Sequence, residues 1–119
     1  MPVSWRITEG FVRLESSGSV AFAEWKAALD AALASPDYRP GMGVLHDQRQ
    51  LRDAPATEEG KSRAAYVVAR GISRWAVLVA TDVQYGMARL GDAHAAGTAT
   101  EIQAFRDAAE AEAWARGGG

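Results

Sequence analysis

The amino-acid sequence predicts one α/β domain, with a mixed and mostly parallel five-stranded sheet packed against four helices. The spacing of apolar residues switches repeatedly between the period of a strand and that of a helix, in the order β-β-α-β-α-β-α-β-α. Residues 75–80 form an apolar run without alternation, which is typical of a strand covered on both faces. The chain has 119 residues, of which 48% are hydrophobic, enough for one core and too few for two domains. Because strands that alternate with helices pair through crossover connections, most neighbouring strands are expected to be parallel.

The chain begins with a predicted hairpin, and a helix follows it. Residues 3–7 alternate between apolar and polar side chains, and a second extended run, 11–15, comes after Glu9-Gly10. Two extended runs joined by a short turn that ends in glycine favour a hairpin. Between Phe22 and Leu33, apolar residues recur three and four positions apart, which predicts a helix that Pro36 stops.

The middle of the chain predicts a strand, a loop, a helix and another strand. Residues 42–47 are mostly apolar, and the polar stretch 48–56 after them is expected to be a loop. Thr57 opens a helix that ends at Gly71, with acidic side chains in its first turn, where the helix dipole favours them. The buried strand at 75–80 follows.

Asp82 is predicted to cap the third helix, because a carboxylate there accepts a hydrogen bond from the first turn. The apolar stripe of this helix, expected to face the sheet, consists of Val83, Met87, Leu90 and His94.

The chain is predicted to end with a strand, a helix and a flexible tail. Residues 101–106 form the strand, and Asp107 with Glu110 starts a helix that carries Trp114. Residues 1–116 are expected to form the domain, and the glycines at 117–119 a flexible end.

Four stretches account for nearly the whole chain: WRITEGFVRLESSGSVAFAEWKAALDAAL, MGVLHDQRQL, WAVLVATDVQYGMARL and EIQAFRDAAEAEAW. Together with the order of elements and the phrases YGMAR and FRD, they resemble the STAS family, the sulphate-transporter and anti-sigma-factor-antagonist domains, in its short stand-alone bacterial form. The resemblance implies the STAS fold, which is similar to that of the lipid-holding CRAL-TRIO domains. It also implies a protein that does no chemistry and binds a protein partner.

In the anti-sigma antagonists of the STAS family, phosphorylation of a serine just after the third strand breaks the contact with the partner. Those proteins place Asp-Ser where the second helix begins, whereas this chain has the residues ATEE at 56–59. Thr57 is the nearest hydroxyl, and a helix N-terminus accepts phosphate through its free N–H groups. The neighbouring Glu58 and Glu59 would repel a phosphate. We favour an ordinary helix cap for Thr57, with phosphorylation as the alternative.

Ligands of open α/β sheets gather at the carboxyl ends of the strands. The polar residues expected at that edge are Asp47, Arg49, Arg52, Asp53 and Thr57 after the third strand, Asp82 and Tyr85 after the fourth, and Asp107 after the fifth. Arg89 lies one helical turn beyond Tyr85, and the guanidinium and the hydroxyl suit a carboxylate or phosphate. The favoured alternative is a surface ion pair from Arg89 to Asp92 or Asp82, with Tyr85 half-buried at the sheet edge.

The pair His46-Asp47 is similar to that of metal-dependent phosphohydrolases, and His94 is the second histidine available. A catalytic metal site usually needs three protein ligands and an open position, so the chain has few candidates. We expect His46 to lie on a strand face and His94 to pack in a helix stripe. No metal, no cofactor and no enzymatic activity are therefore predicted, and neither histidine has an obvious serine partner.

Composition restricts the partners. The net charge is -2 and the eleven arginines are spread among acids, so no basic patch for nucleic acid is expected. Cysteine is absent, which excludes a disulfide framework or a thiolate metal site. The longest apolar run is far shorter than the ~20 residues of a membrane span, and the first ten residues do not read as a secretory signal, so a cytoplasmic protein is predicted.

Three functions follow in order of preference. The first is a regulatory or scaffold module of STAS type that binds a protein partner, or itself. The second is a carrier of a lipid or other small apolar or anionic ligand at the carboxyl edge of the sheet. The third is a metal-assisted hydrolase that uses His46, Asp47 and His94.

Overall fold

A computed structural model describes residues 3–8, 10–52 and 57–117, except for the side chains of Thr57 and His94. Within this part the elements are β1 Val3–Thr8, β2 Phe11–Gly18, α1 Phe22–Leu33, β3 Gly43–Leu51, α2 Thr57–Ala69, β4 Arg74–Leu78, α3 Asp82–Ala95, β5 Glu101–Phe105 and α4 Ala108–Ala115. The predicted α/β class and order of elements are confirmed. Glu9 of the predicted turn and residues 118–119 of the predicted tail lie outside the described residues. No described helix is both long and apolar enough to cross a bilayer.

The five strands follow one another across the sheet in chain order, β1-β2-β3-β4-β5. β1 pairs with β2 antiparallel, and every later neighbour is parallel. Right-handed crossovers that always step in the same direction place their helices on one face of the sheet. α1, α2 and α3 accordingly share one core cluster, and α4 packs in a second cluster on the opposite face.

The larger core lies between the sheet and the first three helices. Trp25 of α1 and Trp75 of β4 are its largest side chains, and their rings meet edge to face with centroids 5.8 Å apart. On the other face, Trp114 of α4 packs on Phe105 at 5.5 Å. Both faces of β4 are covered, as its continuous apolar sequence predicted.

α4 lies very close to the start of β3. A Cβ added at Gly43 would stand 2.2 Å from the backbone oxygen of Ala115, so only glycine fits there. Arg74 fixes the same end of the helix, since its Nη2 donates to the Ala115 carbonyl at 3.1 Å. A cation at the C-terminus of a helix also complements the helix dipole.

Gly43→Ala is expected to destabilise the protein by about 1–3 kcal/mol, because α4 must move away from β3 to make room for the methyl group. Urea unfolding followed by tryptophan fluorescence measures this. Gly60→Ala is the matched control, since a Cβ there meets nothing within 4 Å. Equal stability of the two variants would contradict the close approach of α4.

The third strand is longer than predicted. β3 runs to Leu51, whereas the sequence pattern placed a loop from Gln48 onward. The reason is that β2 also continues to Gly18, and Gly18 pairs with Leu51. Gln50 is likewise paired with Ser17, beyond a register shift of β2 between Glu15 and Ser17.

The rotation of α3 also differs from the prediction. Val83 is 67% exposed and Leu90 45% exposed, so these two residues of the predicted inward stripe face outward, whereas Met87 of the same stripe lines the cavity beneath the helix. The helix is fixed by Gln84, whose side chain is buried and donates from Nε2 to the Gln48 carbonyl at 2.9 Å. Its Oε1 accepts from Ala80 N at 2.8 Å, at the end of β4. These bonds turn Gln84 inward and Val83 outward.

Side chains accept hydrogen bonds from the first turns of α3 and α4 and so cap these two helices. Thr81, and not Asp82, caps α3, since Thr81 Oγ1 accepts from Gln84 N at 3.1 Å. The predicted cap of Asp82 is wrong by one position. Asp107 does cap α4 as predicted, accepting from Glu110 N at 3.0 Å.

Candidate functional site

The carboxyl ends of β2 to β5 meet at one edge of the sheet, where α1, α2 and α3 begin. Thr57 is the first residue of α2, but its side chain lies outside the description, as do residues 53–56, which include Asp53. Arg52 is exposed at the end of β3. The cap and the phosphorylation site at Thr57 both stay predictions.

Asp82 and Tyr85 are brought together with Arg106, which the sequence analysis did not single out. Arg106 Nη2 donates to Asp82 Oδ1 at 2.6 Å, and its guanidinium lies 4.9 Å from the centre of the Tyr85 ring. Tyr85 is half-buried, and its ring packs against the larger core. Arg106 follows β5 directly, so its place in the chain alone puts it at the carboxyl edge.

Arg89 lies on α3 beyond this cluster. It is exposed, and in the described part of the chain no ion pair joins it to Asp82 or Asp92. The cation beside Tyr85 is therefore Arg106, and Arg89 remains accessible to a partner.

The outward surface of α3 is apolar. Val83, Gly86, Leu90 and Ala93 are all exposed and recur at intervals of three and four residues, along one stripe of the helix. We call this stripe the outer α3 face. It lies alongside Tyr85 and Arg89, two of the residues that the sequence placed at the binding edge.

Asp47 and Arg49 lie on the α4 side of the sheet, in a cluster of ion pairs. Asp47 Oδ2 accepts from Arg13 Nη2 at 3.0 Å and from Arg49 Nη2 at 2.8 Å. Arg13 is buried and also pairs with Glu15 at 2.9 Å and Glu112 at 3.4 Å. Burial acts to raise the pKa of the Asp47 carboxyl, but the bonds from Arg49 and the charge of Arg13 outweigh it and hold the pKa below its usual value. The Asp47 carboxylate is therefore taken up by arginines of the same chain.

His46 faces the opposite side of the sheet from Asp47. Its Nε2 lies 2.7 Å from Ser16 Oγ, and its Nδ1 lies 3.1 Å from Gln48 Nε2. Burial lowers the pKa of His46 to about 3, and the charge of Arg63 adds to this effect. The ring is therefore a weak base and a poor acceptor for the Ser16 proton. Because His46 and Asp47 point to opposite faces, they do not bind one metal ion together.

The Ser16–His46 hydrogen bond corrects the expectation that the histidines lack a serine partner. Leu14 of β2 pairs with His46 of β3, which brings Ser16 next to the ring. Only the register of the two strands reveals this pair, and the sequence spacing of thirty residues carries no sign of it.

A cavity of about 60 Å³ lies beneath α2 and α3, on the same side of the sheet as His46. Its lining comprises Trp25, His46, Gln48, Gly60, Arg63, Ala64, Val67, Trp75, Val77, Met87, Ala88, Gly91 and Ile102. Arg63 is buried and donates from Nη2 to the Val20 carbonyl at 3.0 Å and to Glu59 Oε1 at 2.9 Å. Neither this cavity nor a role for Arg63 is apparent from the sequence.

Among solved structures, the chain is similar to the crystal structure of an uncharacterised protein of the DUF3478 family with a SpoIIAA-like fold, from Shewanella loihica PV-4. The two share 17% sequence identity with a TM-score of 0.64, over 94% of this chain and 90% of the other. The chain has a SpoIIAA-like fold. No protein-family model matches the sequence, and no curated protein matches it either.

The SpoIIAA-like fold confirms the STAS-like architecture that the sequence resemblance implied. In this fold the candidate residues separate into two groups. Asp82, Tyr85 and Arg89 lie with the outer α3 face, and Asp47 and Arg49 lie under α4 in the ion-pair cluster.

Proposed function

We propose that this SpoIIAA-like protein is a non-enzymatic regulatory or scaffold module that binds a protein partner through the outer α3 face. The observation that carries the proposal is the exposure of Val83 at 67% and Leu90 at 45%, two helical turns apart on one stripe. Single exposed apolar residues are common, but an aligned pair on one helix is the pattern that amphipathic partners recognise.

The chemistry of this face fits an amphipathic helix. Gly86 and Ala93 lie on the stripe with the larger side chains, and small residues there let another backbone approach closely. Arg89 lies beside the stripe and is exposed, and no ion pair joins it to another described residue. It suits the polar rim of an interface.

The chemical groups of the chain support a role without catalysis. Burial lowers the pKa of His46 to about 3, so its ring is a weak base toward the Ser16 hydroxyl 2.7 Å away. Arg13 and Arg49 hold the Asp47 carboxylate.

A lipid carrier is less well supported. Pockets for drug-sized ligands are typically about 300–1,000 Å³. The cavity under α2 and α3 has a volume of about 60 Å³, too small for an acyl chain of ordinary length. A second pocket of about 280 Å³ lies where β5 begins, away from the carboxyl edge at which a carrier was expected to hold its ligand.

The partner surface is tested with two matched double variants. V83E/L90E places two acidic side chains on the outer α3 face, and A27E/A31E places two on the exposed side of α1. Tagged proteins are expressed in the source cells, and the co-purified proteins are quantified by mass spectrometry. We expect V83E/L90E to lose at least about nine-tenths of the specific partner, which is roughly 1.4 kcal/mol of binding, and A27E/A31E to retain it. Equal recovery with both variants would contradict the proposal.

A further inference from the structure

The cavity under α2 and α3 has two hydrogen-bond donors in its walls that lack acceptors. Trp25 Nε1 and Arg63 Nε are buried and have no hydrogen-bond partner within the described part of the chain. Both side chains line the cavity, and Trp25 is 1% exposed and Arg63 7% exposed. Buried polar groups of native proteins are nearly always paired, so two such donors beside one cavity indicate a site for an acceptor.

The Trp25 and Arg63 side chains are neighbours in the cavity wall. The guanidinium carbon of Arg63 lies 5.5 Å from the centre of the Trp25 ring. A carboxylate has two acceptor oxygens and can take an N–H from each residue.

The electrostatics of the cavity favour an anion. Arg63 carries a permanent positive charge, and this charge contributes to lowering the pKa of His46, so its field reaches the strand that forms the cavity floor. His46 itself is neutral and adds no charge to the cavity. Glu59 Oε1 accepts from Arg63 Nη2 at 2.9 Å, and the Nε–H is left without an acceptor among the described residues.

The remaining walls are apolar and limit the size of the ligand. Trp75, Val77 and Ile102 come from the sheet, and Val67 and Ala88 come from the helices. A water-sized group needs roughly 10–15 Å³ by this measure of volume, so the cavity holds about five such groups.

We propose that the cavity between the sheet and helices α2 and α3 binds a small aliphatic carboxylate of about two to four carbons, whose oxygens accept from Trp25 Nε1 and Arg63 Nε. The site lies beneath α3, whereas the outer α3 face points away from it, so the inference does not depend on the partner. Gln48, Gly60 and Met87 line the cavity and are half-buried, so the cavity is not sealed from solvent.

Propionate is the first probe, and the indole N–H resonance of Trp25 in a ¹H–¹⁵N spectrum is the readout. We expect a saturable shift of this resonance, with a dissociation constant in roughly the millimolar range for so small a ligand. The indole resonances of Trp5 and Trp114, which do not line this cavity, serve as internal controls and should not shift. Propionamide has nearly the same shape without the charge, and it is expected to bind about tenfold more weakly.

Two glycine variants of α3 test the location. Gly91 lines the cavity, and a Cβ there makes only an ordinary contact with Ile102 Cγ2 at 4.0 Å, so Gly91→Ala folds and narrows the site. Gly86 is exposed, and a Cβ there meets nothing within 4 Å, so Gly86→Ala is the matched control. Gly91→Ala should weaken propionate binding by about tenfold, and Gly86→Ala should leave it unchanged. The absence of a saturable Trp25 shift, equal binding of propionamide, or equal binding by the two variants would each overturn the proposal.

Discussion

Acidification from about pH 7 to about pH 4.5 is expected to lower the free energy of unfolding by about 3 kcal/mol through His46 alone. In the unfolded chain the imidazole takes up a proton near pH 6.5. In the folded protein its pKa is lowered to about 3, chiefly by burial. Between these values the unfolded state binds more protons than the folded state. Stability is therefore fully present above about pH 6.5 and is lost as the pH falls toward 3.

Urea unfolding at several pH values measures this loss, and His46→Gln is the variant for comparison. Glutamine keeps hydrogen-bonding groups for Ser16 and Gln48 but does not titrate. The free energy of unfolding of the His46→Gln variant should depend much less on pH than that of the natural protein between about pH 7 and about pH 4.5. Other ionisable groups contribute equally to both proteins, so the difference between the two pH dependences reports on His46. Parallel pH dependences in the two proteins would show that His46 is not a buried neutral group.

Asp47→Ala is expected to destabilise the protein by about 3–5 kcal/mol, because it leaves the buried Arg13 without its buried partner. The Arg13 and Asp47 side chains are each 9% exposed, so water replaces little of the lost interaction. The same measurement on Glu58→Ala provides the control. Glu58 pairs with Lys61 at 3.4 Å, but its side chain is 88% exposed. Glu58→Ala is therefore expected to lower the free energy of unfolding by about 0.5 kcal/mol or less.

A double variant separates the cost of an unpaired charge from the value of the pair. Replacing a buried ion pair with apolar residues of similar size is often close to neutral. The double variant with Arg13→Met and Asp47→Leu should therefore be more stable than the Asp47→Ala variant. It should still be less stable than the natural protein, because Glu15 and Glu112 lose their ion pairs with Arg13. A double variant less stable than the single one would contradict this account of the cluster.

The order of elements and the fold were predictable from local patterns. The alternation in residues 3–7, the helical spacing of Trp25 and Leu29 and the apolar run of β4 depend only on neighbouring residues in the chain. Once three crossovers step in one direction, the shared face of α1 to α3 also follows from chirality.

The rotation of α3 was not predictable, because it depends on contacts between distant residues. Apolar periodicity favoured Val83 and Leu90 as the buried residues. In the fold, Gln84 bonds to the Gln48 carbonyl and to Ala80 N, and burial of this polar side chain turns the helix. A local pattern gives no information on such a bond.

The candidate site was predictable at the level of an edge but not of its partners. Asp82 and Tyr85 were placed correctly after β4, yet their cation is Arg106 from the end of β5. The Ser16–His46 bond and the donors Trp25 and Arg63 depend on strand register and on helix packing. These long-range relations have no counterpart in sequence spacing.

The central claim is that the outer α3 face is where a protein partner binds, and site-specific photo-crosslinking tests it most directly. A benzophenone amino acid is introduced at Val83, at Leu90 or, as a control, at Ala27 on α1, and the crosslinked peptides are identified by mass spectrometry. We predict that the Val83 and Leu90 positions both crosslink to one amphipathic helix of the same protein, and that Ala27 does not. Crosslinks from Ala27 to that protein as strong as those from α3, or none from either α3 position, would contradict the claim.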